Sequence, residues 1–289
     1  MTKFNSAGSY FSLVKFSHTL FALPFALIGF TLGTKVPGNS FSSLNLFLVV
    51  VCMVLARNAA MAFNRYTDKS FDLKNPRTAS REIPAGIIKD SHALLFVILN
   101  SLLFIITTFF INRICLFLSP LALLIILGYS YSKRFTSLSH FLLGIGLSLA
   151  PVGAYLAVTG KFDYQPVFFS VIVFFWVSGF DIIYALQDVE FDKENKLYSV
   201  PASIGKKNSL VLSSFLHLLS AAFILLIGFL FPSGNYYWTG AAIFIGLLLY
   251  QHLLVKPNDL TKVNIAFFTT NGIASVIFSG FVIADLLLS

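Results

Sequence analysis

The sequence predicts an all-α polytopic membrane protein, and three observations carry that expectation. The 289 residues are 57% hydrophobic and only 11% charged, where soluble domains carry about a quarter charged residues. Nine apolar segments each approach the roughly twenty residues needed to cross a bilayer. The basic residues fall almost entirely on one side of those segments. Continuous apolar runs of this length cross as helices, because only helices and closed barrels satisfy their backbone in lipid.

The segments are 17–34, 42–63, 92–111, 114–131, 139–159, 167–187, 209–231, 237–255 and 264–288, forming one integral-membrane domain over residues 1–289. Met1 to Lys15 is short and polar, and no A-x-A-like site follows the first apolar run, so no cleavable signal peptide is expected. Pro24, Gly144, Gly146, Pro151 and Gly153 lie inside segments and predict kinks or close helix contacts. Cys52 and Cys115 both sit in apolar runs, which excludes a disulfide framework or a cysteine metal site.

With nine crossings, one side holds the N-terminus and the connections after segments two, four, six and eight. All but three of the 20 Lys and Arg residues belong to that side; Lys35, Arg113 and Lys161 belong to the other. The positive-inside rule places the N-terminus in the cytoplasm and the C-terminus outside. The net charge of +8 is mostly this asymmetry, and nothing points to nucleic acid or to a protein partner.

One polar stretch organises the chain. Asn64, Asp68 and Asp72 leave segment two at i, i+4, i+8, a spacing that stacks them on one helix face. Arg77, Arg81 and the turn Pro84-Ala85-Gly86 follow. A hard divalent cation is the expected guest, since Mg²⁺ takes few protein carboxylates and shares its other positions with phosphate oxygens. About 120 residues later the pattern returns: Asp188 and Asp192 leave segment six, followed by Lys193, Lys196 and a second Pro/Gly turn, Pro201 to Gly205. Two acidic clusters on one membrane face would close on one cytoplasm-facing cavity, and two Mg²⁺ ions between them would clamp a diphosphate.

Two charges lie deeper. Asp181 interrupts the apolar run Phe174 to Ala185, where a charge costs about 2.5–3.5 kcal/mol on insertion scales; it requires a function or a buried partner. Arg57, two turns before Asn64, either holds an anionic substrate group or pairs with Asp181. Lys133-Arg134 serves as a cytoplasmic anchor or as phosphate ligands. His18 opens segment one, and His92, His140, His217 and His252 form no metal-ligand spacing. Tyr66, Phe71, Tyr129, Tyr131, Tyr184 and Phe191, near the acids, present ring faces that stabilise a cation without trapping it.

These motifs resemble the UbiA-type intramembrane aromatic prenyltransferases. The pattern N-x-x-x-D-x-x-x-D is Asn64, Asp68 and Asp72, followed by Arg77-Thr78-Ala79-Ser80-Arg81. The Y-A-x-Q-D-x-x-x-D form is Tyr184-Ala185-Leu186-Gln187-Asp188 and Asp192. The Y-x-x-x-K-R-[FY]-T form is Tyr129, Lys133-Arg134-Phe135-Thr136. The chain is most similar to the 4-hydroxybenzoate polyprenyltransferase branch. Glu82-Ile83 replaces the Pro-Leu frequent there, and Lys15 to Pro24 is more similar to enzymes of the futalosine route to menaquinone.

The resemblance implies transfer of a polyprenyl group from its diphosphate to a small aromatic acid in quinone biosynthesis, with 4-hydroxybenzoate as the acceptor. Mg²⁺ would be held by Asn64, Asp68, Asp72, Asp188 and Asp192. Arg77, Arg81, Lys133 and Arg134 would complete the phosphate shell, beside Tyr129, Tyr184 and Gln187. Asp181 or Asp188 would orient the acceptor or assist its proton loss, and Arg57 would take its carboxylate. A futalosine-derived compound, 1,4-dihydroxy-2-naphthoate, a porphyrin or a chlorophyllide are alternative acceptors. A transporter or a noncatalytic lipid-binding scaffold are the competing classes. Against the first, no charged series crosses the bilayer and the acids avoid the midplane where transporters bind; the second has no need of two metal clusters.

Overall fold

The computed structural model describes residues 6–14 and 21–288. Among them every regular element is helical, apart from an isolated bridge between Lys256 and Asp259. In chain order these are α1 Ser6–Val14, α2 Leu23–Lys35, α3 Ser43–Thr67, α4 Lys69–Lys74, α5 Asp90–Ile111 and α6 Arg113–Ser132. There follow α7 Ser139–Thr159, α8 Tyr164–Ala185, α9 Val189–Glu194, α10 Val200–Leu230, α11 Asn235–Leu254 and α12 Asn271–Leu288, the last preceded by a π-helical turn, Ile265–Thr270. Eight helical segments are long and apolar enough to cross a membrane, and α2 is a shorter apolar ninth. Each expected segment falls on one of them. Residues 17–20 of the first, with Lys15 and His18, lie outside the described residues.

Local chemistry sets the ends. Ser42 caps α3 by accepting from Asn45 N–H at 3.2 Å, Asn112 caps α6 from Cys115 N–H at 2.9 Å, and Asp163 caps α8 from Gln165 N–H at 3.2 Å. Each satisfies a donor that the first helical turn leaves free. Pro24 and Pro201 sit in first turns, where a missing N–H costs nothing. The stretch Pro201 to Gly205, expected as a turn, is therefore the start of α10, kinked where Gly205 takes φ 79°, a backbone that glycine alone adopts cheaply. Asp285, inside α12, accepts from Gly234 and Tyr237 N–H at 2.9 and 3.1 Å and so caps α11.

The bundle is unevenly filled. In α8, 56% of the crossing window is buried; in α6, 17%. One half is an aromatic core of Phe25, Trp176, Phe180, Phe244 and Phe278, with Trp176 meeting Phe180 edge-on at 5.1 Å. Such pairs add about 0.5–1.5 kcal/mol beyond their buried area. Trp176 Nε1 donates to Asn271 at 2.8 Å, and His217 lies 2.7 Å from His252, so these buried polar side chains are paired. The other half, α3, α5 and α6 with part of α7, encloses empty space.

Gly29 fits α2 against α7: a Cβ there would overlap the Pro151 carbonyl oxygen and lie 2.9 Å from its Cα. Gly29→Ala is expected to cost about 1–3 kcal/mol, read as a lower Tm in detergent. Gly280→Ala, with nothing within 4 Å, does not lower Tm, since alanine is the better helix former.

The N-terminal stretch, read from sequence only as short and polar, contains α1. Leu13 is buried with Ala62, Ile83, Ile88, Ala93 and Val97, and Ser12 hydrogen-bonds Glu82. Short helices of this kind take their stability from packing one apolar face.

Candidate active site

The connections after α3, α6 and α8 meet at one end of the bundle. Tyr198 N–H donates to the Lys133 carbonyl at 2.7 Å, Arg134 Nη2 to the Thr67 carbonyl at 2.7 Å, and Asn75 Nδ2 to Asp188 Oδ1 at 3.0 Å. The two acidic clusters, far apart in sequence, are thus joined directly.

The first cluster does not lie on one continuous helix face, as its spacing predicted. The chain bends at Asp68, which ends α3 and starts α4 with φ −88° and ψ 1°. Asp68 N–H still bonds the Asn64 carbonyl and Asp72 N–H the Asp68 carbonyl, at 3.0 and 2.8 Å, so the register survives while the direction changes. Asp68 and Asp72 are buried. Asp68 is held by Lys133 Nζ at 2.5 Å, by Arg134 Nη2 at 3.3 Å and by Asn64 Nδ2 at 3.3 Å. Asp72 accepts from Arg81 Nη1 at 2.8 and 2.9 Å. Burial pushes the Asp68 carboxyl above the ordinary aspartate value, and Asp72 adds to this, while Lys133 and Arg134 pull the other way.

In the second cluster, Leu186 to Asp188 form a 3-10 turn between α8 and α9. Arg77 grips both oxygens of Asp188, Nε at 3.0 Å and Nη2 at 2.5 Å, a bidentate geometry that suits guanidinium and carboxylate. Arg77 also donates to the Tyr184 hydroxyl at 3.0 Å and stands 5.3 Å over its ring. Burial lowers the affinity of Arg77 for its proton, but the bond to Asp188 and its charge outweigh this and leave its pKa raised. Asp192 accepts from Ser199 at 2.7 Å and lies in electrostatic reach of Asp188 and Lys133. Gln187 donates to the Tyr184 carbonyl at 3.2 Å; like Asp68, Asp72, Asp188 and Asp192, it stands outside the lining of the cavity below.

Beneath these pairs lies a cavity of about 930 Å³. Arg77, Ser80, Arg81 and Glu82 line one end, and Ile111 and Phe162 the other. Along α3 it extends from Asn64 to Val49, about 22 Å at the rise of a helix. Leu121 and Phe162, both more than half exposed, share its lining, so it opens on the lipid-facing surface. Arg57, Tyr129, Asp181 and Tyr184 line it too. Arg57 Nε and Nη2 are buried without a hydrogen-bond partner. The expected alternative of an Arg57–Asp181 pair does not form: Asp181 Oδ2 lies 2.7 Å from His140 Nδ1.

Among the described residues, no three or more His, Cys, Asp or Glu side chains lie together closely enough to hold a metal. The carboxylates are held by side-chain cations instead. The donor set nevertheless fits Mg²⁺. It is all oxygen, Asn64 spends only its amide N–H₂ on Asp68, and Mg²⁺ completes few carboxylates with substrate phosphate rather than demanding a protein cage.

Sequence reasoning missed Asn75, Ser199, Arg65, Glu82 and His140. Arg65 is buried beside Asn64, with Nε and Nη1 unpartnered. The only signal was adjacency to the motifs for Asn75 and Arg65; His140 and Asp181 are 41 positions apart.

The model for the UbiA prenyltransferase family matches residues 22–273. A 4-hydroxybenzoate octaprenyltransferase from Tolumonas auensis is 31% identical over 245 residues, 85% of either chain. The apo structure of a UbiA homolog from Aeropyrum pernix K1 superposes with a TM-score of 0.84 at 28% identity, over 93% of this chain and 98% of that one. A UbiA homolog from Archaeoglobus fulgidus bound to DMAPP and Mg²⁺ shares the fold at a TM-score of 0.75 and 21% identity, over 97% of this chain and 100% of that one. With nine apolar helices, a bridged pair of acidic motifs and these relatives, the chain is an integral-membrane prenyltransferase and belongs to the UbiA prenyltransferase family.

Proposed function

We propose that the protein transfers a polyprenyl group from polyprenyl diphosphate to a small aromatic acid, 4-hydroxybenzoate, in quinone biosynthesis. The single observation that carries this reading is the joining of Asp188 to Asn75 and Arg77 at the mouth of a long apolar cavity. It supports one polar head site shared by both acidic motifs, with a tail channel below it.

Asn64, Asp68, Asp72, Asp188 and Asp192 would hold Mg²⁺, which when bound neutralises diphosphate charge and eases departure of the leaving group. The chain's own cations share that task. Arg77, Arg81, Lys133 and Arg134 surround the carboxylates and carry charge for the departing diphosphate. As the allylic C–O bond breaks, the cation meets the aromatic side chains of Tyr129, Tyr184, Phe180 and Phe267, which line the cavity and stabilise it. The apolar walls exclude the water that would quench it. Arg57 would receive the acceptor's carboxylate, since its planar fork matches that group and its Nε and Nη2 are buried without partners. The prenyl tail leaves through the opening at Leu121 and Phe162 into lipid. The site and the N-terminus face the cytoplasm across a bacterial inner membrane, the orientation that the basic loops support.

The test is turnover of a labelled polyprenyl diphosphate by the purified protein with a panel of 4-hydroxybenzoate, 1,4-dihydroxy-2-naphthoate and futalosine-derived aromatics. Prenylated 4-hydroxybenzoate is expected with Mg²⁺, none with EDTA, and full recovery on adding Mg²⁺ back. Turnover of another panel member alone would overturn the acceptor, and undiminished turnover in EDTA would overturn the metal.

A further inference from the structure

Asp181 and His140 form a pair that binding a diphosphate does not use. Asp181 stands on α8 two turns before Asp188, and its side chain, 21% accessible, lines the cavity. Its Oδ2 is 2.7 Å from His140 Nδ1, while its Oδ1 has no protein hydrogen bond among the described residues. His140 is buried at the start of α7, and its Nε2 accepts from the Val200 N–H at 3.4 Å. A ring nitrogen that accepts carries no proton, so the imidazole proton sits on Nδ1 and points at the carboxylate. The ring is thus pinned at both nitrogens, and it pins Asp181.

Asp188 accepts from Arg77 on both oxygens and from Asn75. Glu82, which also lines the cavity, gives Oε1 to Ser12, while its Oε2 is buried without a hydrogen-bond partner; its electrostatic neighbour is Arg65, not Arg57 or Tyr129. Tyr129 lies in electrostatic reach of both Arg57 and Asp181, so these three side chains bound one spot within the cavity.

Aromatic prenylation needs a base at such a spot. When the ring carbon bonds the allylic carbon it still carries its hydrogen and the ring has lost aromaticity. The C–H bond must then break, its electron pair returning to the ring and its proton passing to a base. The geometry points to Asp181 Oδ1 as that base and to His140 as the positioning residue that orients it; the assignment rests on the aromatic-acceptor reading above. Protonated Asp181 returns its proton to water when product leaves.

The experiment compares 4-hydroxybenzoate with its ring-deuterated form, using full-length protein in detergent with Mg²⁺ and a labelled polyprenyl diphosphate. Wild type is expected to show no isotope effect, because proton loss is fast. Asp181→Asn keeps the shape, lowers kcat on the order of 10²-fold and exposes a primary isotope effect. His140→Leu shows the same isotope effect with a smaller loss, about tenfold, and an unchanged KM for the prenyl diphosphate. His140→Gln, whose amide still donates to Asp181, regains most of the rate. A slowed Asp181→Asn without an isotope effect, or a His140→Leu enzyme like wild type, overturns the assignment. If His140→Leu does not fold, the Asp181→Asn isotope effect decides alone. If wild type leaves 4-hydroxybenzoate untouched, the acceptor reading has failed, and the same comparison with the ring-deuterated acceptor that the panel identifies decides the role of Asp181.

Discussion

Asp188→Ala is expected to abolish prenyl transfer in a protein that remains folded. Asp188 is the point where the two acidic motifs touch, through Asn75 at 3.0 Å and both arms of Arg77. Removing it takes away a metal-binding carboxylate and leaves Arg77 to swing from its place. Loss of one preorganised charge-stabilising group commonly costs on the order of 10²–10³ in rate, and loss of two linked contributions exceeds that. The fold should survive, because Asp188 lies beyond the end of α8 and outside the aromatic core cluster, and the Arg77 side chain, 31% accessible, regains water. Steady-state turnover beside a thermal melt in the same detergent checks both statements. Near-normal turnover would remove the two-motif site.

Arg57→Met is expected to raise the KM for the aromatic acid and to leave the KM for the prenyl diphosphate unchanged. Hydrogen bonds to a charged group contribute about 1.5–3 kcal/mol, which is roughly 10- to 150-fold in affinity. Nε and Nη2 of Arg57 are buried and unpartnered, an arrangement that costs stability in the empty protein. Methionine of similar reach removes that cost, so the variant should melt no lower than wild type. Arg57→Lys, with a point charge in place of a planar fork, should recover part of the affinity. Steady-state kinetics varying each substrate in turn distinguishes this from a general loss of structure.

What could be read from the sequence follows from what is local. Membrane length acts segment by segment, so the nine apolar helices were legible. The motifs around Asp68 and Asp188 were legible because each is a short pattern at helical spacing. Their flaws have the same origin. Stacking Asn64, Asp68 and Asp72 on one face assumes an unbroken helix, and the backbone bends at Asp68. The bond of Gln187 back to the Tyr184 carbonyl is likewise not announced by the motif. Pairings across the bundle were out of reach: nothing in the spacing of His140 announces Asp181, and nothing in the polar N-terminal stretch announces Leu13 packed on Ile83 and Val97. The cations on Asp68, Asp72 and Asp188 were expected as phosphate ligands; their bonds to the acids themselves emerged only with the fold.

The most direct test titrates a non-hydrolysable polyprenyl diphosphate analogue into wild type, Asp68→Ala and Asp188→Ala by calorimetry, each with Mg²⁺ and with EDTA. If both motifs grip one metal-bound head group, wild type binds only with Mg²⁺ and each variant loses that binding. Either variant binding as tightly as wild type, or wild type binding equally well in EDTA, would contradict it.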